Sequence, residues 1–380
     1  MSVETASKPV RSIIEEHRVH VVYQPIVDLD TGAHVAFESL ARGPAGTDLE
    51  PPIDLFDAAE ADGLTAELDW ECRDAALREA LRCGLSHPYS LFINSQPAAF
   101  RVRRPAYLDE AVRVARTRFP VIVDVSEHWL VDDPVGVIAT LGDAHSRGFR
   151  ISLDDVGSSP HCAALVPLLD PDVIKLDLPR LDALGPVRAA ELAAVLKEQA
   201  DRSGALILAE GIESAEDRLA ALAFGARLGQ GWFYGRPGPL AQQLAATRVP
   251  PMRVRFRSLD LLEAIPSTPF ELVARCGDLP IVSAEELAVI EIETERKAER
   301  AGEDRGGSPI VLRSDGHVPT HHPLARQRVV AALGPHHAAA LVARELGDGR
   351  YEYAVLRDRD AVVRAARSLV RHVSPRTIQL

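Results

Sequence analysis

Residues 149–211 contain three apolar runs that end in charged residues: FRISLDD (149–155), DVIKLDL (172–178) and ALILAEG (205–211). An amphipathic helical segment, PVRAAELAAVLKEQADRSG (186–204), separates the second run from the third. A buried parallel strand reads as a continuous apolar run, and its polar residues appear where the strand leaves the core. This stretch therefore predicts alternating strands and helices, with charged side chains gathered at the carboxyl ends of the strands.

The same alternation extends in both directions, from about residue 10 to about residue 245, and gives eight strand candidates. Seven residues that can bind metal or move protons end these apolar runs: Glu38, Asn94, Asp124, Asp154, Asp155, Lys175 and Glu210. A (β/α)8 barrel brings such strand ends together at one mouth. The sequence therefore predicts an α/β protein built on a TIM-like barrel, with an oxygen-rich site suited to Mg2+ or Mn2+.

One irregularity lies near the start of this pattern. In VVYQPIVDLDTGAHVAFESL (21–40), only the turn DLDTG (28–32) separates the first two strand candidates. A turn this short closes an antiparallel hairpin, whereas a parallel crossover needs about a dozen residues or more. The barrel is therefore expected to carry one antiparallel strand near its start.

The pattern changes after TRVPPMRVRF (247–256), so we predict a barrel domain over 1–248 and a smaller α/β domain over 249–380. In the second domain the sequence predicts strands in SPIVLRS and YEYAVLR, and it leaves helix or strand open for HHAAALVARELG (336–347). The predicted helices are LPIVSAEELAVIEIETERKAER (279–300), HPLARQRVVAALG (322–334) and DAVVRAARSLVRHV (360–373).

Composition limits the classes of function. The formal net charge of −12 argues against a duplex nucleic-acid binder. No apolar stretch approaches the roughly 20 residues of a membrane span, and the N-terminus lacks a hydrophobic signal segment. Four scattered cysteines without a CxxC pair suit a reducing compartment, so we expect a cytoplasmic protein. Only four of the 43 basic residues are lysines, which makes Lys175 at a strand end notable.

Taken in order, these motifs resemble the EAL domain, a family of cyclic di-GMP phosphodiesterases. The resemblance runs from about residue 21 to about residue 239. It rests on YQPIVDLDTG (23–32), ESL (38–40), FINSQP (92–97), VDVSE (123–127), LDDVGSS (153–159), VIKLD (173–177), AEGIES (209–214) and QGWFYGRP (230–237). The resemblance implies a hydrolase that converts cyclic di-GMP to linear pGpG with two divalent ions, Mg2+ or Mn2+.

The resemblance also implies a role for each matching residue. Glu38, Asn94, Asp124 and Asp154 would hold one ion, and Asp154, Asp155 and Glu210 would hold the second. Lys175, Glu210 and Glu213 would be the catalytic residues, with Lys175 handling a proton and Glu213 supporting either Lys175 or the metal ligands. The implied substrate-binding residues are Gln24, Arg42, Gln230 and Pro237, and Glu127 would stabilise the loop after Asp155. A homodimer through the barrel is a further implication.

Two departures from the family pattern keep an alternative function open. Asp124 stands where the family has Glu, so its carboxylate falls short by about one bond length unless the strand shifts. The loop from Val156 to Pro160 lacks the family's Phe and second Gly and gains a proline, which changes its packing and flexibility. The alternative is a catalytically weakened EAL domain that acts as a cyclic di-GMP receptor or a protein-interaction regulator.

The C-terminal part carries a second, shorter resemblance. PFELVA (269–274) and the segment from PHHAAALVARELGD (335–348) to the last predicted helix are similar to DICT-type sensory domains, without the middle of that pattern. The resemblance implies a sensory or regulatory role. An unrelated α/β sensor and a dimerisation module remain alternatives, and no ligand follows from these residues.

Overall fold

The predicted barrel is closed. A computed structural model describes residues 9–100, 102, 105–127, 134–156, 162–247, 249–256, 267–274, 278–303, 310–314, 322–334, 337–372 and 378–379. Within these residues the barrel strands follow one another in chain order. The strands are β1 (His20–Asp28), β2 (His34–Arg42), β3 (Ser90–Asn94), β4 (Val121–Ser126), β5 (Arg150–Asp154), β6 (Val173–Asp177), β7 (Leu206–Glu210) and β8 (Leu228–Gln230).

Strand β1 runs antiparallel to both of its neighbours, β2 and β8, whereas the other neighbouring strands pair in parallel. The turn between β1 and β2 is fixed by Asp28, whose Oδ1 accepts hydrogen bonds from the backbone N–H of Thr31 (3.0 Å) and from its hydroxyl (2.9 Å). Gly32 then takes a φ of 71°, a left-handed conformation that favours glycine. The prediction of one antiparallel strand near the start is confirmed.

The helices that accompany the barrel strands follow the predicted alternation. They are α1 (Pro9–Glu15), α2 (Pro52–Asp62), α3 (Thr65–Arg82), α4 (Pro97–Phe100), α5 (Leu108–Arg118), α6 (Pro134–Ser146), α7 (Cys162–Leu169), α8 (Leu178–Leu184), α9 (Pro186–Ser203), α10 (Ala215–Ala223) and α11 (Leu240–Ala245). In the part of the chain that the structure describes, no helix is long and apolar enough to cross a membrane.

An apolar layer fills the barrel directly beneath the strand ends. Since side chains alternate between the two faces of a strand, the residue two positions before each site residue also points inward. These positions are almost all apolar and buried, and they belong to one packed cluster: Ala36, Phe92, Ile122, Val173, Leu208 and Leu228. Burying a large side chain of this kind contributes about 1.5–3 kcal/mol. This packed apolar layer therefore closes off the barrel interior directly below the site.

The C-terminal part forms a smaller, six-stranded sheet in the order β14-β10-β11-β12-β13-β9, with antiparallel neighbours. Its strands are β9 (Ile281–Ser283), β10 (Ile310–Ser314), β11 (Gln327–Leu333), β12 (Ala338–Glu345), β13 (Arg350–Leu356) and β14 (Ile378–Gln379). A 3-10 helix (Pro269–Leu272) and the helices α12 (Ala284–Glu303) and α13 (Arg359–Val370) accompany the sheet.

Two secondary-structure predictions in this part are wrong. The helix predicted over 279–300 begins at Ala284, and strand β9 precedes it and pairs with β13. The segment 322–334 is predicted as a helix, but its second half is strand β11. β11 pairs with β10 on one side and with β12 on the other, so the backbone N–H and C=O groups along both edges of the strand are hydrogen-bonded within the sheet. The short apolar run RVVAAL has no periodicity that distinguishes a buried strand from a buried helix. Its secondary structure is therefore determined by the strands with which it pairs. The segment left open, 336–347, contains strand β12.

Helix α13 of the C-terminal part contacts the barrel through Arg367. The guanidinium donates from Nε to the carbonyl oxygen of Leu168 at 3.0 Å and from Nη1 to Oδ2 of Asp170 at 3.2 Å. Burial, together with the nearby charge of Arg371, lowers the pKa of Arg367 to about 10. The C-terminal part therefore contacts the barrel through a charged side chain at the end of α7, and the predicted boundary at residues 248 and 249 stays a prediction.

Candidate active site

Five barrel strands deliver one charged side chain each to a single cluster. The parallel register places Asp154 beside Ser126 and Glu210 beside Asp177, so the strand ends lie at one edge of the barrel. The cluster comprises Glu38 from β2, Asp124 from β4, Asp154 from β5, Lys175 from β6 and Glu210 from β7. Residues spread over more than 170 positions of the sequence thus meet at one site.

Lys175 lies at the centre of this cluster. Its Nζ atom lies 2.7 Å from Oδ2 of Asp124 and 2.8 Å from Oε1 of Glu210. It lies 3.2 Å from Oδ2 of Asp154 and 3.3 Å from Oε1 of Glu38. The side chain of Lys175 is 1% exposed and that of Asp124 is fully buried, whereas those of Asp154 and Glu210 are 20% exposed. The cluster therefore opens to solvent on the side of Asp154 and Glu210.

Four carboxylates share one ammonium, so the ionised cluster carries three excess negative charges. Burial raises the pKa of Asp124 to about 7 and holds the pKa of Glu210 well above its usual range. Burial alone would lower the pKa of Lys175, but the surrounding carboxylates, led by Asp124 and Glu210, raise it well above its usual value. Burial would likewise raise the pKa of Asp154, but Lys175 and the backbone N–H of Asp155 outweigh it and lower that pKa. These opposing shifts follow from the crowding of four carboxyl groups around one buried ammonium.

Amide side chains hold Glu38 in place. Asn94 donates from Nδ2 to Oε1 of Glu38 at 3.1 Å, and Gln230 donates from Nε2 to Oε2 at 2.6 Å. Gln230 also donates to Oε1 of Gln24 at 3.0 Å, and Gln24 donates to the carbonyl oxygen of Gly235 at 3.1 Å. The structure therefore joins the predicted ligands Glu38 and Asn94 to the two glutamines predicted to bind substrate.

Gly231 makes this arrangement sterically feasible. A side chain at this position would place its Cβ about 2.0 Å from the carbonyl oxygen of Ile212, and the residue has a φ of 158°. The close approach of the two backbones lets Ile212 N–H donate to the carbonyl oxygen of Gln230 at 3.1 Å. The glycine of the QGWF segment thus fixes the end of β8 against the AEGIES loop, and with it the Gln230 side chain.

The contacts described for the Asp155 carboxylate are with Arg180 and Ser126, not with the Nζ atom of Lys175. Asp155 follows Asp154 with a φ of 59°, a left-handed conformation that aspartate adopts more readily than most residues. Its Oδ1 lies 2.9 Å from Nη1 of Arg180, and Ser126 donates to its Oδ2 at 3.5 Å. Burial and the neighbouring charge of Asp154 raise the pKa of Asp155. The predicted second-ion ligand is therefore engaged by Arg180.

The sequence analysis did not identify Arg180. Its Nε lies 3.4 Å from Oδ2 of Asp177, and its backbone N–H donates to Oδ1 of Asp177, which caps helix α8. The sequence signal that could have identified Arg180 is an arginine three residues after an N-capping aspartate at the end of a strand. That signal is weak, because such pairs are common on protein surfaces.

The remaining predicted site residues surround the cluster at greater distance. Glu127 is fully buried, and its backbone N–H donates to the carbonyl oxygen of Asp154 at 2.9 Å. Glu213 is exposed, its backbone N–H donates to Asp217, and the described contacts do not join its side chain to Lys175. Arg42 is half-buried at the end of β2, where burial lowers its pKa, and Pro237 is half-buried after β8. Their roles stay predictions, and residues 157–160 of the altered loop lie outside the described residues.

The donor atoms fit divalent cations. Oδ1 of Asp124 and Oε1 of Gln230 are buried acceptors without a hydrogen-bond partner in the structure described. A buried acceptor left unsatisfied costs about 1–3 kcal/mol, and a cation or an ordered water would satisfy it. Carboxylate and amide oxygens are the ligands that Mg2+ and Mn2+ prefer. The three excess negative charges and the orphaned acceptors therefore suit a cationic cofactor better than Lys175 alone.

Residues 8–237 match the family model of the EAL domain, which covers more than half of the chain. This chain belongs to the EAL domain family. The cyclic di-GMP phosphodiesterase PA2567 of Pseudomonas aeruginosa is 29% identical to it over 234 residues, which cover 60% of this chain and 40% of that protein. The chain spans less than half the length of the curated relatives it matches.

Solved EAL structures share the barrel. BlrP1 of Klebsiella pneumoniae, in a complex with manganese and cyclic di-GMP, matches with a TM-score of 0.52 and 23% identity over 58% of this chain and 56% of that one. The EAL domain of FimX from Pseudomonas aeruginosa, bound to cyclic di-GMP, matches with a TM-score of 0.52 and 21% identity over 60% of this chain and 95% of that one. The predicted barrel fold is confirmed. The family match ends at residue 237, and the DICT-like character of the C-terminal part stays a prediction.

Proposed function

We propose that this EAL-family chain is a phosphodiesterase that hydrolyses cyclic di-GMP to linear pGpG in second-messenger signalling, with two divalent ions, Mg2+ or Mn2+. The observation that carries the proposal is the convergence of Glu38, Asp124, Asp154 and Glu210 on Lys175 at the open mouth of the barrel. Relatives named as cyclic di-GMP phosphodiesterases support the substrate. Solved EAL structures with manganese and cyclic di-GMP support the cofactor.

The proposed ligand sets follow the geometry with one adjustment. Glu38, Asn94, Asp124 and Asp154 would hold one ion, and Asp154, Glu210 and Asp155 would hold the second once Asp155 leaves Arg180. When bound, the two ions would supply Lewis-acid stabilisation of the phosphate charge and lower the pKa of a water molecule. A water molecule adds to phosphorus, one phosphodiester P–O bond breaks, and the departing oxygen takes up a proton.

Lys175 is the proposed proton-handling group of this reaction. Its buried ammonium shares three N–H donors among four carboxylates, so a hydrogen bond to a water held among them would replace one of these contacts. Arginine has a much higher pKa and cannot give up a proton in this setting. Glu210 completes the proposed catalytic pair through its 2.8 Å contact with Lys175. Glu213 would support Lys175 or the metal ligands, and Glu127, whose backbone N–H donates to the carbonyl oxygen of Asp154, would stabilise the loop after Asp155.

The proposed substrate contacts lie around the mouth. Arg42 suits a bidentate grip on a phosphate, because its planar guanidinium matches the geometry of the oxygens. Gln24 and Gln230 present amide groups next to Glu38, and Pro237 offers an apolar wall for a guanine ring. The homodimer through the barrel, implied by the family resemblance, is part of the proposal and is testable by light scattering.

The test is an assay of the purified full chain with cyclic di-GMP, following pGpG by chromatography with Mg2+, Mn2+ or neither. Glu38→Gln and Asp154→Asn should each reduce turnover by at least about a hundredfold, because each removes a carboxylate from the centre of the site. The exposed Asp182→Asn on α8 is the matched control and should keep the rate of the wild type. Saturable binding of cyclic di-GMP without pGpG formation under any metal condition would reject hydrolysis and support the receptor alternative.

A further inference from the structure

A cavity of about 720 Å3 lies between helix α9 of the barrel and the C-terminal sheet. We call it the α9 cleft. The barrel lines it with Glu198 and Arg202 from α9. The C-terminal part lines it with Glu293 and Lys297 from α12 and with Arg357 and Arg359 at the end of β13 and the start of α13. Its volume falls within the range of about 300–1,000 Å3 that is typical of small-molecule sites.

The cleft is positively charged in an acidic protein. Four basic side chains face two carboxylates there, an excess of two positive charges, whereas the whole chain carries a formal charge of −12. A cleft lined by one sign of charge between low-dielectric walls concentrates ions of the opposite sign. Charge alone therefore selects an anion for this place.

The two carboxylates are already engaged within their own helices. Glu198 accepts from Nη2 of Arg202 at 2.8 Å, and Glu293 lies 3.6 Å from Nζ of Lys297. In the ranges that the structure describes, no ion pair includes Arg357 or Arg359. These two guanidiniums are the excess charge of the cleft.

Arg359 is held there against electrostatic repulsion. Its Nη1 donates to the carbonyl oxygen of Gly334 at 2.8 Å, which fixes the partly buried side chain. Burial, followed by the positive charge of Arg202, lowers its pKa, and the charges of Glu198 and Asp360 oppose this shift without cancelling it. Two cations from different parts of the fold thus face each other across the cleft, an arrangement that an anion between them would stabilise.

The rest of the lining is largely apolar. Ile290 of α12, Ala339 of β12 and Val355 of β13 contribute aliphatic surface beside the arginines. We propose that the α9 cleft binds a small dianion, such as a phosphate ester, whose charged group contacts Arg202, Arg357 and Arg359. Guanidinium groups bind phosphate and carboxylate oxygens in a bidentate manner, which suits this ligand class. Because Arg202 belongs to the barrel and the other two arginines do not, the ligand bridges the two parts of the chain.

The experiment is isothermal titration of the full chain, stripped of metal and dialysed free of chelator, with inorganic phosphate at constant ionic strength. Removing metal leaves the barrel mouth acidic, so that the mouth does not attract the probe. We expect one saturable site per chain, with affinity reduced about tenfold in Arg357→Gln and in Arg202→Gln, the loss of one charge-assisted contact each. Arg188→Gln, an exposed position on the same helix, is the control and should bind as the wild type does. A parallel titration with succinate separates phosphate from dicarboxylate recognition.

Each outcome decides the proposal. The absence of saturable heat with both probes would reject the site. Equal affinity in the wild type and in Arg357→Gln would place the binding elsewhere and reject it as well. Weakening in Arg357→Gln with unchanged affinity in Arg202→Gln would contradict the bridge between the barrel and the C-terminal part. Arg357 is exposed, so its substitution leaves the fold intact and keeps the result interpretable.

Discussion

Lys175 of β6 contacts Glu210 of β7 at 2.8 Å, although the strand register places Glu210 opposite Asp177. The backbone of Lys175 therefore lies two residues deeper in the barrel than the backbone of Glu210. The long side chain of Lys175 extends toward the mouth and brings the ammonium group to the Glu210 carboxylate. The ammonium thus approaches from the buried side of the cluster, where the lysine is 1% exposed. The side toward solvent, where Asp154 and Glu210 are 20% exposed, is left for ions and substrate.

Hydrolysis of cyclic di-GMP should require Mg2+ or Mn2+ and be inhibited by Ca2+. The donor set is all oxygen, but Ca2+ takes more ligands at longer distances and activates water less well. Rates of cyclic di-GMP hydrolysis, measured with each ion alone and in competition, check this prediction. Equal rates with and without EDTA would contradict it.

Lys175→Met should lower the melting temperature of the metal-free chain, because it leaves four clustered carboxyl groups, two of them buried, without a cation. Mn2+ should then raise the melting temperature of the variant more than that of the wild type, since the ions take over the neutralisation. Turnover should fall at least about a hundredfold in both Lys175→Met and Lys175→Arg, while Lys175→Arg largely keeps metal binding. Full activity of Lys175→Arg would show that proton handling is not the role of this residue.

Asp124→Glu tests whether the shorter carboxylate is a defect or an adaptation. From the sequence alone, the extra methylene restores reach and tightens metal binding. In the structure Asp124 already contacts Lys175 at 2.7 Å in a fully buried position, so the longer side chain should be overpacked. We expect a stability loss of about 1–3 kcal/mol and no gain in Mn2+ affinity. Denaturant unfolding and calorimetric titration measure the two quantities, and tighter Mn2+ binding would favour the defect.

Arg180→Gln should tighten the binding of the second Mn2+ ion. Arg180 engages the Asp155 carboxylate at 2.9 Å, and the arginine side chain is half exposed. An ion pair of this exposure is worth about 0–1 kcal/mol, so releasing Asp155 should improve the affinity by up to about fivefold. Calorimetric titration of the wild type and Arg180→Gln with Mn2+ measures this difference, and Arg188→Gln serves as an exposed arginine control. Weaker Mn2+ binding would mean that Arg180 positions Asp155 for the ion.

Asp172→Asn should destabilise the barrel by about 3 kcal/mol at neutral pH, because it removes a buried charge from its partners. Asp172 lies between β5 and β6 and accepts from Nη1 of Arg150 at 2.7 Å and from the backbone N–H of Ile151 at 2.9 Å, with His145 Nε2 at 2.7 Å. Burial alone would raise the pKa of Asp172, but these partners outweigh it and lower that pKa.

The sign of the pH dependence follows from this lowered pKa. The ionised carboxylate stabilises the fold above its unfolded pKa of about 4, and the contribution is lost as the pH falls through the folded value. Urea unfolding should therefore show the difference between Asp172→Asn and wild type shrinking in the acid range. Asp201→Asn, an exposed position on α9, should stay within about 0.5 kcal/mol of wild type. A difference that does not vary with pH would contradict this assignment.

The strand ends of the barrel could be predicted because two physical signals coincide there. Buried parallel strands require apolar runs, and a site at the mouth requires polar residues directly after them, as in RISLD and LILAE. The antiparallel β1 was equally predictable, because a five-residue turn cannot hold a crossover.

Two features could not be read from the sequence. Asp155 adjoins Asp154, but its left-handed backbone turns its carboxylate toward Arg180, a residue on the helix after the next strand. No local pattern reports a contact of that kind. The prediction of a helix at β11 was wrong because a short apolar run does not distinguish a buried strand from a buried helix. Its pairing with β10 and β12, which the sequence does not reveal, makes it a strand.

The reversed direction of β1 determines where the polypeptide enters the barrel. His20 pairs with Arg42, so β1 begins at the mouth and runs down to the opposite end, while β2 returns upward. In an all-parallel barrel the first strand would enter from the far end. The short segment between α1 and β1 therefore leads into the barrel beside the opening that the proposed substrate would use.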